Sequence, residues 1–311
     1  MIKRRFANYC NLKLLLLFLI VYGHFIEPYI ESSRILEVQY KCIYFFDMPL
    51  FVFLSGLFLN STEECIKQLK KLFPIYIAYQ LGMVCLGVTD IKKPWWILWY
   101  LFSYCVWTAF ASIWFKIKNK GVQYGIIVIT ILVGMLSGYV QWLNRTWSGS
   151  RIIVFLPYFL MGLVCNYKIS WQKYRILGIV AGFIAAALIL KYMDLIPVDF
   201  LYHANEFRKI QNGLELRMVC YTVGTLSGLF LLTNIPQVRF PFTKAGADTL
   251  IIYLLHGPIV YFLRKINCHW VLYGVWSITY IYFAYKIQQW NGKLYYVKSF
   301  CDDLNSEDSN R

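Results

Sequence analysis

The chain consists of apolar runs that recur about every thirty residues and are separated by short polar connections. A helix rises about 1.5 Å per residue, so about twenty apolar residues cross about 30 Å of hydrocarbon. Hydropathy and helix breakers predict ten spans, at residues 11–30, 41–59, 72–88, 95–115, 121–142, 151–167, 174–193, 214–234, 248–265 and 270–286. The pattern predicts an all-α fold, a polytopic transmembrane bundle of about ten helices.

The composition agrees with this pattern, since 59% of the 311 residues are hydrophobic and only 15% are charged. A soluble domain would carry more charge. We therefore expect residues 1–290 to form one membrane domain, and residues 291–311 to form a short, disordered cytoplasmic tail. The N-terminal basic and apolar segments resemble a signal peptide without a small-residue cleavage site, so we predict that they form the first span.

The net charge of +15 comes from Lys and Arg in short loops, which favours a membrane protein over a nucleic-acid-binding one. One alternating set of loops holds more of these residues. The other set carries Glu27, Glu31, Glu37, Asp194, Asp199 and Glu206. The positive-inside rule then predicts that both termini are cytoplasmic in a multi-pass protein of the cell (inner or plasma) membrane, with membrane lipids as partners. Nine singly scattered cysteines predict neither a metal site nor a redox site.

The first span contains the stretch KLLLLFLIVYGHF, in which Lys13 is the first residue and His24 follows eleven positions later. Eleven helical steps return to nearly the same face and rise about 16 Å. A cation at the inner edge suits anion binding, and an imidazole deep in the membrane suits proton transfer. Two structural interpretations remain open: His24 as a hydrogen-bonding residue between helices, and Lys13 as an interfacial anchor.

The second span, FFDMPLFVFLSGLF, contains Asp47. A carboxylate within a span needs a partner, and we expect His24 or Lys41 to supply it. Alternatively, Asp47 caps a helix at the interface. Gly56, next to Ser55, is expected to allow close helix approach.

These segments resemble the acyltransferase family 3 membrane proteins, in particular the branch of fucose 4-O-acetylase-like sugar acetyltransferases. The family's first-helix signature is a basic residue followed by any ten residues and then His. Lys13 and His24 match it. The MPLFVFxSG pattern is matched by residues 48–56. Later landmarks follow in order: WWILWYL, SRIIVFLPYFLMG, LRMVCYTVG and TLIIYLLHGPIV. The chain departs from the family in having Lys13 where Arg is usual and Asp47 where His often precedes MPLF.

The resemblance implies a cytoplasmic acyl-CoA donor, usually acetyl-CoA, used as a co-substrate with no tightly bound cofactor. It also implies a sugar or polysaccharide acceptor, which in some relatives is lipid-linked. We assign the catalytic role to His24 and Asp47 and donor binding to Lys13 and Ser55. We assign acceptor binding to Arg151, Arg217, His256, Trp99 and Tyr100. The two arginines suit contact with an acidic glycan or its lipid pyrophosphate.

Each acceptor-binding assignment has a structural alternative. The arginines and aromatic residues are also typical interfacial anchors, and His256 also suits a packing role. At the level of the whole protein, the alternative is a transporter or flippase of a lipid-linked glycan or a small anionic solute, which would also carry buried His, Asp and Arg. Only an acyltransferase leaves a base-labile acyl group on the glycan. The sequence leaves open the sugar, the hydroxyl, the acyl group and covalent versus direct transfer.

Overall fold

The structure is a computed structural model that describes residues 2–143, 146–165, 169–204, 206–207, 210–240, 242–246, 249–264 and 270–290. The described part is 81% helix and contains no strand. The predicted tail at 291–311 lies outside the described residues. The all-α prediction is confirmed.

The helices in chain order are α1 (Ile2–Ile26), α2 (Arg34–Leu57), α3 (Thr62–Cys85), α4 (Leu98–Trp114), α5 (Lys120–Leu136), α6 (Gly149–Val164), α7 (Arg175–Tyr192), α8 (Val198–Leu201), α9 (Gly213–Asn234), α10 (Leu250–Leu263) and α11 (Trp270–Trp290). A helix overlaps each of the ten predicted spans. Six segments in the described part are long and apolar enough to cross a membrane, and α4 and α10 are apolar but shorter. The number of crossings and the side of the termini stay predictions.

The start of α3 shows why hydropathy misplaces helix ends. The predicted span begins at residue 72, whereas α3 begins at Thr62. Ser61 Oγ accepts a hydrogen bond from the backbone N–H of Glu64, and the Glu64 carboxylate accepts one from the backbone N–H of Asn60. This reciprocal capping starts the helix in a charged segment. Hydropathy indicates which part of a helix lies in lipid, and capping determines where the helix begins.

The chain forms two compact units, which we describe separately. The first contains the described residues of Met1–Ile43 and Leu231–Arg311, and the second is Tyr44–Phe230. Unit 1 is organised around α1. Asn11 Nδ2 donates to the Val238 carbonyl oxygen at 2.9 Å, and Thr243 Oγ1 donates to Asn11 Oδ1 at 2.7 Å. Phe25 of α1 stacks on Tyr273 of α11. One buried amide thus holds the segment that precedes α10 against α1.

Unit 2 depends on close crossings between helices. A Cβ on Gly56 of α2 would lie 2.1 Å from the Phe159 carbonyl oxygen, and one on Gly162 of α6 would lie 2.2 Å from the Phe53 carbonyl oxygen. These two glycines therefore bring the backbones of α2 and α6 into contact. The expectation that Gly56 allows close helix approach is confirmed.

The α6 and α9 helices of unit 2 run parallel. Tyr221 Oη donates to the Val154 carbonyl oxygen at 2.8 Å, and Tyr158 Oη donates to the Tyr221 carbonyl oxygen at 3.1 Å. A Cβ on Gly224 would lie 3.0 Å from Tyr158 Oη. Positions later in α6 thus contact positions later in α9, which fixes the register of the two helices.

We predict that Gly56→Ala destabilises the protein, because its methyl group has no space beside a backbone carbonyl. We expect a loss of about 1–3 kcal/mol. Gly82→Ala is the matched control, since a Cβ there has nothing within 4 Å and α3 should gain about 0.5–1 kcal/mol. Thermal unfolding in detergent measures both variants. Equal melting temperatures for the two would contradict the close α2–α6 crossing.

Candidate functional site

His24 lies near the C-terminal end of α1, in unit 1, with a side chain that is 13% exposed. Its Nδ1 is 3.6 Å from the Glu27 carboxylate, one helical turn further along. This is an ion-pair distance, and a small ring movement converts it to a hydrogen bond. A carboxylate at Nδ1 favours the tautomer that carries its proton there, which leaves Nε2 as the proton acceptor.

Arg264, at the end of α10, holds the other side of this carboxylate. Its Nη2 is 2.5 Å from Glu27 Oε2, and its Nε donates to the backbone carbonyl oxygen of His24 at 3.1 Å. The Arg264 guanidinium therefore contacts both the Glu27 carboxylate and the backbone of His24, whose ring that carboxylate orients. A charge-assisted pair of this kind fixes the geometry of partly buried groups.

His256 of α10 stacks on His24, with ring centroids 5.5 Å apart and planes inclined by 17°. Its Nδ1 hydrogen-bonds to the Tyr253 carbonyl oxygen, which can only accept, so Nδ1 carries the proton. Its Nε2 is then an acceptor, and it is buried without a hydrogen-bond partner among the described residues. Two imidazoles and one carboxylate thus converge at a place where a hydroxyl proton can be received.

Lys13 and His24 both belong to α1, which is continuous from Ile2 to Ile26. Their helical spacing therefore holds, with the two residues on nearly one face and about 16 Å apart along the axis. Both side chains are half-buried. The role of Lys13 in donor binding stays a prediction.

Asp47 belongs to unit 2, where it is 1% exposed and accepts a hydrogen bond from the backbone N–H of Met48 at 2.6 Å. It lies in the middle of α2, so it does not cap a helix end. Lys41, one of its two expected partners, pairs with Glu37 at 2.7 Å. The carboxylate that the structure places beside His24 in unit 1 is Glu27. The catalytic role predicted for Asp47 stays a prediction.

Ser55 and Tyr100, which the sequence assigned to different ligands, lie together in unit 2. Ser55 Oγ is 2.6 Å from Tyr100 Oη and donates to the Phe51 carbonyl oxygen at 2.8 Å. Tyr100 is therefore the donor between the two hydroxyls. This hydrogen bond joins α2 to α4 and therefore has a structural role. The ligand-binding roles of the two residues stay predictions.

A second polar group in unit 2, which we call the Arg217 cluster, comprises Ser150, Arg151, His203 and Arg217. Arg217 of α9 is 1% exposed, and its three guanidinium nitrogens have no hydrogen-bond partner among the described residues. Arg151 Nε donates to the Tyr202 carbonyl oxygen at 2.9 Å, and its guanidinium lies 4.8 Å from the Trp99 ring centroid. Trp99 and Arg151, predicted to bind the acceptor, are thus in direct contact.

His203 lies in the connection between α8 and α9, and its side chain is buried. Burial, followed by the positive charges of Arg217 and Arg151, holds its pKa well below the ordinary value of 6.5. Burial and these charges therefore favour the neutral form of His203, and Arg151 and Arg217 are two described cations whose charges act on its ring.

Sequence reasoning missed Glu27, Arg264 and His203 as site residues. Glu27 had a detectable signal, because a carboxylate three positions after a histidine shares its helical face, but it was counted as a loop charge. Arg264 had none, since it is far from His24 in sequence. His203 lies in a loop without a periodic pattern.

A family model described as an acyltransferase domain, Acyl_transf_3, matches residues 8–286. The chain belongs to this acyltransferase family. The matched range includes every residue of both polar groups, and together with the apolar helices it makes the chain a multi-pass membrane protein of the family. The chain matches no protein of curated function and no solved structure.

We predict that His203→Asn makes the acyltransferase less sensitive to acid. Because the folded pKa lies below the unfolded value, the unfolded chain binds the proton first, and stability falls as the pH drops below about 6.5. The slope contributed by one such group is at most about 1.4 kcal/mol per pH unit. Asn tolerates the left-handed backbone of position 203, where φ is 53°.

The measurement is the thermal unfolding midpoint of the wild type and of His203→Asn between about pH 7.5 and about pH 5. The wild type should lose more stability than the variant over this range. Parallel curves would show that His203 takes up its proton equally well in the folded and unfolded states.

Proposed function

We propose that the protein is an O-acyltransferase that moves an acetyl group from cytoplasmic acetyl-CoA to a sugar hydroxyl of a surface polysaccharide or lipid-linked glycan. In this proposal it belongs to the fucose 4-O-acetylase-like branch of its family, both termini are cytoplasmic and the membrane is the cell membrane. Family membership supports acyl transfer. The observation that carries the proposal is the convergence of His24, His256, Glu27 and Arg264, because transfer from a thioester to an alcohol requires removal of a hydroxyl proton.

In the proposed reaction, the acceptor hydroxyl oxygen attacks the thioester carbonyl carbon. An O–C bond forms, the C–S bond breaks, and the hydroxyl proton passes to Nε2 of His24. The CoA thiolate leaves and takes up that proton, which regenerates the neutral imidazole. The Nε2 of His256 is positioned as an acceptor that holds the sugar hydroxyl beside this base.

Glu27 acts through His24. It stabilises the imidazolium that forms when the proton arrives, and it keeps Nδ1 protonated beforehand. Arg264 in turn fixes Glu27, so the carboxylate does not rotate away when the proton moves. Glu27 and Arg264 are positioning residues in this proposal.

Lys13 supplies the cation for donor binding in this proposal. About 16 Å separates it from His24 along α1, which is close to the length of an extended pantetheine arm. A lysine provides a point charge without the two-pronged hydrogen-bonding geometry of arginine, so the phosphate contact would be less directional. Ser55 and Tyr100 stay in the proposal as polar groups of unit 2, for the donor and the acceptor respectively.

We predict that His24→Ala abolishes acetylation. The general base contributes about a hundredfold or more to such a transfer, and alanine has no group that accepts the proton. Proton NMR of surface polysaccharide measures the O-acetyl methyl signal from cells that carry the wild-type gene, the variant gene or no gene. Membrane abundance of the variant is checked by immunoblot.

Three outcomes distinguish the proposal from its alternatives. A methyl signal that requires the gene and is removed by mild base supports an acyltransferase. A glycan that changes location without gaining an acyl group indicates the transporter or flippase. A normal methyl signal with His24→Ala would contradict the assignment of the base.

We predict that Glu27→Gln lowers the O-acetyl content by about tenfold or more at equal protein abundance, because the neutral amide does not stabilise the imidazolium. Glu27→Asp should recover part of the loss, since it restores the charge. Glu31→Gln is the matched control, because Glu31 is an exposed carboxylate close by in sequence. Equal losses in Glu27→Gln and Glu27→Asp would indicate that Glu27 serves only packing.

A further inference from the structure

Arg217 is a buried cation whose hydrogen-bonding capacity is unused. It is 1% exposed, and Nε, Nη1 and Nη2 have no hydrogen-bond partner among the described residues. A guanidinium presents five N–H donors in a planar fork and stays charged in proteins. Burial of such a group is strongly unfavourable unless a partner satisfies it.

The aromatic neighbours of Arg217 do not supply that partner. Its Cζ lies 5.4 Å from the Phe200 ring centroid and 5.2 Å from that of Phe207, and these two rings are stacked on each other at 5.9 Å. The faces of these rings interact with the positive charge of the guanidinium, but they accept no conventional hydrogen bond. The N–H groups at its edge still need an acceptor, and carboxylate or phosphate oxygens match their geometry.

The α6–α9 register brings a second unpartnered group to the same level. Tyr221 bonds to the Val154 carbonyl oxygen, Arg217 lies one turn before Tyr221, and Ser150 lies one turn before Val154. Because the helices run parallel, Ser150 and Arg217 occupy adjacent turns. Ser150 Oγ is fully buried and has no hydrogen-bond partner among the described residues.

The remaining members of the cluster are a buried imidazole and a half-buried cation. His203 Nδ1 is buried without a described hydrogen-bond partner, and the charges of both Arg217 and Arg151 act on this ring. Arg151 and the Trp99 ring beneath it are half-buried, so they form the outer edge of the cluster. Hydrogen-bond donors therefore lie inside, and a cation on an aromatic ring lies toward the surface.

We infer that the Arg217 cluster is a recessed subsite that binds an oxyanion, a carboxylate or a phosphate group, carried by the acceptor glycan. The inference rests on the proposed function for the identity of the ligand as an acceptor. The negative charge of the ligand is inferred from the buried guanidinium and the Ser150 hydroxyl, which are both hydrogen-bond donors. At the outer edge, Arg151 over the Trp99 ring supplies a second cation for the same anion.

The experiment is a thermal-shift titration of the full chain in detergent with matched probes. Galacturonate and galactose differ by the carboxylate, and galactose 1-phosphate adds a phosphate to the same sugar. Coenzyme A is the fourth probe, because its phosphates are the other source of oxyanions. We expect galacturonate or galactose 1-phosphate to raise the melting temperature in a saturable manner, and galactose to have little effect.

Arg217→Met is the decisive variant. Removal of a buried, unpaired charge should raise the melting temperature of the unliganded protein by about 2 °C or more, and it should weaken anion binding by about tenfold or more. Arg175→Gln is the matched control, because Arg175 is an exposed arginine at the start of α7. It should leave both readouts unchanged.

Several results would overturn the inference. Equal effects of galactose and its anionic analogues would exclude an anion subsite. Undiminished anion binding by Arg217→Met would exclude Arg217 from it. A response to coenzyme A that Arg217→Met removes, without a response to the sugar anions, would assign the cluster to the donor. If Arg217→Met does not fold, Ser150→Ala and Arg217→Lys are used in its place. Wild-type affinity for the anion in both variants would contradict the inference.

The binding test is independent of the acetylation test. His24→Ala should retain anion binding, because His24 is not a member of the Arg217 cluster. If the wild type binds the anion but the gene adds no acetyl group, the subsite is supported and the acyltransferase proposal is contradicted. If the gene adds acetyl groups but the protein binds no anion, the acyltransferase proposal is supported, the subsite is contradicted, and the acceptor is neutral.

Discussion

The partnering of buried ionisable groups is the constraint on which this structure depends. In a chain with few charged residues and long apolar helices, each charge inside a helix must find a counter-charge or a hydrogen bond. The Glu27 carboxylate does so by lying between Arg264 and His24. This single contact joins the end of α1 to the end of α10, orients an imidazole and leaves the opposite ring nitrogen as a base. The catalytic proposal follows from how one carboxylate is satisfied.

Arg217 is the informative contrast to Glu27. Its neighbours in unit 2 are two phenyl rings, and its N–H groups have no hydrogen-bond partner in the described part of the chain. Proteins retain an unpaired buried charge at sites where a ligand pairs with it, and the charge lowers the stability of the protein when no ligand is bound. The partly buried Glu27 and the buried Arg217 thus represent two uses of charge in an apolar chain. One is fixed permanently within the protein, and in our inference the other waits for an anionic acceptor.

Backbone packing provides the rigid surroundings that both uses require. The Gly56 and Gly162 crossing brings α2 and α6 into backbone contact, and the Tyr221 and Tyr158 hydrogen bonds fix the register of α6 and α9. The position of Ser150 relative to Arg217 follows from that register. In unit 1, the hydrogen bonds of Asn11 hold the segment before α10 against α1.

The sequence by itself determined the helices, the membrane character, the family resemblance and His24, because hydrophobic periodicity and short motifs are local properties of the chain. The pairing of Glu27 with Arg264, the stacking of His256 on His24 and the convergence of Arg151 and Arg217 on His203 were decided only by the tertiary structure. Those contacts join residues far apart in sequence, and they depend on which helices pack together and in what register. A periodic pattern specifies the buried face of a helix, but it does not specify the residue that the face meets.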